Sequence, residues 1–258
     1  MTIINYITLF IIYSFLGWVM ESFFRSICEK KLINTGFLYG VICPIYGIGA
    51  IIMLIFLDNL KQNVFILFIS AFFILSLWEY IVGWLLEKIF NAKYWDYSKH
   101  KFNINGRICL ANSIAWGILA VVFLKYIHPF ILSKLNKIPE DIVYISTIIF
   151  SGIIVIDTIV TTIKVKSIEA QIDKLKQIGE KLKVKAEELK NTKTAEYANS
   201  IEKIQSKIDE LKLQEEIIRT KVLKKAQRLK TIFPTMKSNA ISNFLNEKKE
   251  LVKDRMKK

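Results

Sequence analysis

Between residues 3 and 163, apolar residues run in long blocks separated by short polar stretches. A helix needs ~20 mainly apolar residues to cross the hydrocarbon core of a bilayer. Five blocks meet that length, at 3–20, 38–57, 64–86, 108–126 and 142–163. The pattern therefore predicts about five transmembrane helices. The second block contains Pro44, which removes an amide donor and crowds the carbonyl of Gly40, so a kink is expected there. Membrane helices tolerate such kinks when neighbours satisfy the freed groups. Glycine repeats in this block and its entry, at Gly36, Gly40, Gly47 and Gly49. Gly36-x-x-x-Gly40 fits close helix packing. His128-Pro129 follows the fourth block and reads as a polar helix exit.

After residue 163 the pattern changes to apolar positions spaced by four and three, with charges between them. Ile168, Ile172, Leu175, Leu182 and Leu189 form one series, and Ile201, Ile204, Ile208, Leu211, Ile218 and Val222 another. This is heptad-like spacing. The pattern lapses over 190–200, which holds Asn191, Thr192 and Asn199. Two helices folded into an antiparallel coiled-coil hairpin are expected, each arm ~35–40 Å long. One continuous helix paired between chains is the alternative. Gly179 and Glu215 occupy core positions and weaken the seam in either case. After Pro234, the residues Met236, Ile241, Phe244, Leu245 and Leu251 sit among Lys and Asn. They suit an amphipathic helix on the membrane surface, or a simple solvated tail. The expected fold class is all-α: a polytopic membrane bundle over 1–163, a cytoplasmic coiled-coil hairpin over 164–230, and a basic amphipathic tail over 231–258.

Composition sharpens this division. The chain of 258 residues is 52% hydrophobic yet carries 37 Lys and Arg and a net charge of +14. Such a charge points to an anionic partner. Beside apolar spans, the anionic lipid surface is the expected one. Basic residues also orient the spans. The loops at 22–37 and 88–107 hold eight Lys and Arg, and the loops on the other side hold four. The basic tail lies with the first group, which predicts an outside N-terminus and a cytoplasmic tail. Trp18, Trp84, Tyr94 and Trp95 fall near the inner ends of spans, as an aromatic belt would. The first block lacks the basic start and cleavage site of a signal peptide, so it is expected to remain as an anchor. Cys28, Cys43 and Cys109 have no metal or CxxC spacing and read as small hydrophobes.

Charges inside spans are costly and usually functional. Glu21, Glu79, Glu87 and Asp157 lie in or at the edge of the blocks. Arg25 lies one turn after Glu21, so the two can pair. Glu79 and Glu87 share a helix face with Gly83 between them, which would admit a close neighbour or a ligand. With Cys43, Pro44, Tyr46, Asn112 and Ser113, these residues all fall in the inner half of the bilayer. A polar cavity opening to the cytoplasm, richer in acids than bases, is one reading. It would favour a cation, a proton or an amine. The other reading is that these groups are interhelical glue, or snorkel to the interface. Glu79 lies too deep to snorkel easily.

No phosphate loop or dinucleotide fingerprint is present, and two histidines do not suggest a metal site. No catalytic set can be assembled. The chain is therefore expected to be neither an enzyme nor cofactor-dependent.

Four ordered blocks carry a resemblance. They are the stretches 15–26 (Phe-Leu-Gly-Trp-Val-Met-Glu-Ser-Phe-Phe-Arg-Ser), 36–50 (Gly36 through Pro44 to Ala50), 78–98 (from Trp78-Glu79-Tyr80 to Tyr94-Trp95-Asp96-Tyr97-Ser98) and 103–109 (Asn-Ile-Asn-Gly-Arg-Ile-Cys). Over about 5–165 the chain resembles the CmpB-type, permease-like ABC-transporter type IV family of bacterial membrane proteins. The resemblance implies a multi-pass protein of the bacterial plasma membrane. Its matched polar positions are Glu21, Arg25, Glu79, Glu87, Asp96, Asn105 and Arg107. In the third loop, which holds Trp95, Asp96, Asn105 and Arg107, the aromatics and Arg107 could bind a lipid headgroup phosphate, or the loop could form an aromatic belt closed by an Asn-Gly turn. The expected binding residues are thus these seven together with Trp95 and Asp157. The expected function is a permease-like subunit that binds a small ligand or ion. The alternative is a non-transporting scaffold or regulator that assembles partners through its tail. Expected partners are the bilayer and, through the tail, a separate ATPase, an envelope protein or a second copy of the chain. Nucleic acid is not expected, because the tail mixes acids and bases at coiled-coil spacing.

Overall fold

The computed structural model of the chain describes residues 2–191 and 198–246. They form two compact units, one of residues 2–162 with 231–237, and one of residues 163–191, 198–230 and 238–246.

The first unit is a helical membrane bundle. Helix α1 covers Ile3–Glu29, α2 Pro44–Phe56, α3 Val64–Phe90, α4 Leu110–Val122, α5 His128–Leu135, and α6 Glu140–Asn191, whose first part belongs here. Local chemistry sets the boundaries. The Thr2 hydroxyl accepts from the Asn5 amide, and the Asn63 side chain accepts from the amides of Phe65 and Ile66. Each satisfies donors that a helix start leaves without partners. Lys30 and Asn91 end α1 and α3 in left-handed conformation, with φ of 52° and 48°. Among the described residues, four helices are long and apolar enough to cross a membrane: Ile3–Glu29, Val64–Phe90, Leu110–Leu135 and Glu140–Leu189. Their outer faces expose Ile and Phe side chains such as Phe65, Phe73 and Ile156. Lipid suits that surface and water does not.

The second block departs from expectation. Its helix, α2, has only 13 residues, or ~20 Å of rise against a core of ~30 Å. Pro44 does not kink it but begins it, where the missing N–H would have had no helical partner anyway. The residues before it are not helical and lie along α1 from Ser26 back to Ser14. The Ser26 hydroxyl accepts from the Ile33 amide, the Ser22 hydroxyl from the Thr35 amide, and the Ser14 carbonyl from the Cys43 amide. Non-helical backbone at membrane depth requires such protein partners. Gly36 lies in this segment with φ +101°, so Gly36-x-x-x-Gly40 is not a helix-packing pair. Close packing falls instead to Gly17 and Gly47. A Cβ on Gly47 would stand 2.0 Å from the Ser14 hydroxyl, and one on Gly17 2.3 Å from Tyr46.

The fourth block also runs on further than its hydropathy indicates. A π-turn over Phe123–Ile127 joins α4 to α5. It precedes Pro129, whose ring would otherwise press on the carbonyl four residues back. His128 is therefore no helix exit: it is buried, and its Nδ1 bonds the Tyr13 hydroxyl at 2.7 Å. The apolar core around this region gathers Leu9, Met53, Leu57, Leu67, Leu75 and Leu124.

In the second unit, the later part of α6 packs with α7 (Ala198–Ile232). The Lys225 ammonium donates to Ser167 and Gln171 of α6. Residues 167 and 225 lie at similar distances in sequence from the predicted break, so the helices run antiparallel within one chain. Ile168, Ile172, Leu175, Ile208, Leu211 and Val222 are buried in the seam, and Ile178 fills the place expected for Gly179. Glu215 is carried by Arg219, 2.6 Å away. Beyond Pro234, helix resumes at 239. Ile241 and Phe244 are buried, with the Arg219 guanidinium over the Phe244 ring, rather than free to enter a membrane surface. Leu251 and the centre of the predicted break lie outside the described residues.

Candidate functional site

At the end of the bundle that carries the loop between α3 and α4, a cavity of ≈ 400 Å³ opens among α1, α2, α3 and α4. Glu21 and Arg25 come from α1, Tyr46 from α2, Glu79 from α3, and Asn112 and Trp116 from α4. Trp95 and Tyr97 enter from the loop, and Phe233, Pro234 and Thr235 complete the wall.

Glu79 is 4% exposed. One carboxylate oxygen accepts from the Tyr97 hydroxyl at 3.2 Å and from the Asn112 amide at 3.3 Å. The other accepts from the Trp116 indole at 3.0 Å. All three donors are neutral. Tyr97, outside the spans, has its hydroxyl pushed well above its usual range, first by burial and then by the Glu79 charge. Glu21 is held less firmly. The Cys43 thiol reaches it at 3.8 Å. Arg25 does not form the expected pair with Glu21. It turns to Glu29 at 3.6 Å and donates to the Thr231 carbonyl at 2.9 Å. Its Nε is buried, with no hydrogen-bond partner among the described residues.

The other expected residues serve different contacts. Asp157 receives the amides of Tyr39 (3.2 Å) and Gly40 (2.7 Å), and the Thr161 hydroxyl (3.0 Å). It thus caps the non-helical segment before α2. Glu87 takes the Arg107 guanidinium at 2.7 and 3.2 Å. Tyr80 accepts from both Arg107 and Asn105. Arg107 therefore has its fork occupied by Glu87, not open to a phosphate. The space beside Gly83 is filled by the Trp95 ring, whose indole N–H bonds the Arg107 carbonyl. Of the four expected belt aromatics, Trp84 is exposed, Tyr94 is buried, and Trp18 bonds Asn34.

The loop itself folds around a short hairpin, Asn103–Ile104 with Ile108–Cys109. Asn105 and Gly106 both have positive φ, 52° and 69°, which suits an Asn-Gly turn. Asp96 clasps the loop to 231–237, bonding Lys237 by an ion pair and accepting from the Ser98 hydroxyl, while its amide donates to Thr235. Burial alone would raise Asp96. Hydrogen bonds from Lys237 and from the Ser98 hydroxyl and amide outweigh it and hold the carboxyl at about 2. Lys93 and Lys237 exchange backbone hydrogen bonds at 2.9 Å, and Tyr94 meets Phe233 edge-on.

Sequence reasoning grouped Glu21, Tyr46, Glu79 and Asn112 by depth, and the cavity brings them together. It missed Trp116 and the segment 231–237. Trp116 was within reach, since it lies one turn after Asn112 and so on the same face. Nothing in the sequence signalled that 231–237 would fold onto the loop.

These walls were compared with known proteins. Residues 8–162 match the family described as "Putative ABC-transporter type IV". The chain belongs to this family. The matched region contains Glu21, Arg25, Tyr46, Glu79, Asn112 and Trp116, while Phe233–Thr235 lie outside it. No curated protein and no solved structure matches the chain.

Proposed function

We propose that the chain is a permease-like subunit of the bacterial plasma membrane that binds a small ligand or ion in the cavity lined by Glu21 and Glu79. Family membership supports a transport-related membrane role. The observation that carries the binding reading is Glu79, a carboxylate buried inside the bundle on neutral donors alone. An acidic side chain at the centre of a span costs about 2.5–3.5 kcal/mol on insertion scales, and such residues mark ligand and ion pathways. Loop charge supports an outside N-terminus and a cytoplasmic cavity mouth and tail. The chain has no ATPase motif of its own, so a separate ATPase docked on the antiparallel helix pair would supply energy. It is proposed to carry no catalytic activity.

The test is complementation of a deletion strain by Glu79→Gln, with membrane levels measured in parallel. Loss of complementation at normal levels is expected. Full complementation would sink the binding reading.

The helix pair favours a second reading, a non-transporting scaffold. It seals its own apolar seam and leaves charged faces outward. On that reading, deleting 166–230 abolishes function while Glu79→Gln does not.

A further inference from the structure

We propose that the helix pair binds a phosphate group on Lys164, Lys221 and Lys225, at the end where the chain enters and leaves the pair. This site lies within the second unit, and the inference does not rest on the reading of the cavity.

The charge of the pair is unevenly spread. Residues 164–176 and 219–230 hold ten Lys and Arg against two acids, while 177–218 hold eight against nine. Mixed charge at coiled-coil spacing describes the second group but not the first. Between Ile217 and Lys230, α7 carries six bases and no acid. Helical spacing puts Lys164, Ser167 and Gln171 on one face of α6, and Lys221, Lys225 and Arg228 on one face of α7. The two acids of this end, Glu169 and Asp173, fall on the opposite face of α6 by the same spacing, and Asp173 pairs with Lys176 at 3.4 Å.

The fold turns the two basic faces toward each other. The Lys225 ammonium donates to the Ser167 hydroxyl at 2.9 Å and to the Gln171 side-chain carbonyl at 3.4 Å. An ammonium has three donors, so one is left for a further acceptor. Burial lowers Lys225 from the usual lysine range, and the charges of Lys164 and Lys221 lower it further. Both of those neighbouring charges are positive. Ammoniums brought together repel one another, and an anion among them removes that repulsion. Lys164 and Lys221 are exposed and Lys225 is half-buried, so an incoming group has access to them. Phosphate suits the set, because lysines bind it as point charges and its several oxygens can meet ammoniums from two helices at once. At Arg107 the same chemistry is blocked by Glu87; here no carboxylate shares the face. Two sources of phosphate fit. Lys164 directly follows Ile163, the end of the apolar run and 63% exposed, and basic pockets at that depth bind anionic headgroups. A soluble phosphate compound is the other source.

Native mass spectrometry of the purified full chain, titrated with phosphatidylglycerol and with phosphatidylcholine, tests the lipid source. Calorimetry with inorganic phosphate against chloride at equal ionic strength tests the soluble one. A preference for phosphatidylglycerol of at least ~10-fold assigns an anionic headgroup, and saturable phosphate binding without that preference assigns a soluble ligand. In either case, joint replacement of Lys164, Lys221 and Lys225 by Gln should weaken binding at least ~10-fold, while Lys183→Gln, Lys203→Gln and Lys212→Gln together, which remove the same charge further along the pair, should change it less than about twofold. Lys221→Gln alone alters an exposed side chain and leaves the bonds of Lys225 intact, so it should weaken binding even if the triple replacement disturbs folding. Absence of both the lipid preference and saturable phosphate binding overturns the proposal. So does equal weakening by the two triple replacements, or unchanged binding in Lys221→Gln.

Discussion

Asp157 shows how far a residue can be read without its surroundings. An acid within an apolar run marks a costly group, and ligand binding was a fair expectation for it. Its carboxylate instead receives the amides of Tyr39 and Gly40, from a segment more than a hundred residues earlier. Those amides lie where the second crossing is not yet helical, so they have no helical partner. Hydrogen bonds to a charged acceptor contribute about 1.5–3 kcal/mol. Asp157→Asn leaves one acceptor oxygen in place of two. Exchange of the Gly40 amide, followed by hydrogen–deuterium exchange in detergent, should accelerate at least ~10-fold. Unchanged protection would mean that the segment is held by α1 alone. Glu79, by contrast, lines the cavity, and its own helix gave no sign of its donors Tyr97, Asn112 and Trp116. Arg25 was legible as a charge near Glu21, but which acid it would choose was not.

Among the elements, glycines separate positions where space is required from positions where it is not. Gly47 allows α2 to touch α1, because any Cβ there would overlap the Ser14 hydroxyl and crowd the Phe10 carbonyl. Overpacking of this kind costs about 1–3 kcal/mol. Gly179 lies in the middle of α6 with nothing within 4 Å of a would-be Cβ. Glycine in a helix interior costs about 0.5–1 kcal/mol against alanine. Gly47→Ala should therefore lower the melting temperature in detergent, and Gly179→Ala should hold or raise it. A reversal of that order would refute the packing assigned to α1 and α2. Hydropathy found both glycines but ranked neither. The same limit explains α2, where the apolar run was correct and its helical extent was not. Periodicity reports where a segment is buried. Pro44 decided where the helix begins.

For the whole molecule, the bundle places three thiols in different settings. Cys43 and Cys109 are buried, and Cys28, near the end of α1, is exposed. With an outside N-terminus, Cys28 faces the cytoplasm. A membrane-impermeant maleimide should then label the unaltered chain in inside-out vesicles and not in intact cells. Labelling of intact cells would reverse the proposed orientation. The clasp at Asp96 also belongs to this scale. It joins a loop inside the family's matched region to residues beyond it, so the last wall of the cavity comes from a part of the chain that the family match does not cover.

The sequence by itself determined the all-helical membrane class, the long apolar helices, the helical tail and the family. Each of these rests on repeated local signals, summed over many residues: apolar length, heptad spacing, and ordered motif blocks. The tertiary structure alone decided which acids face the cavity, that Asp157 caps backbone amides, that Arg107 is held by Glu87, and that 231–237 closes the site. Those outcomes depend on single contacts between distant segments. A carboxylate's role follows from which donors reach it, and no pattern within its own helix specifies them.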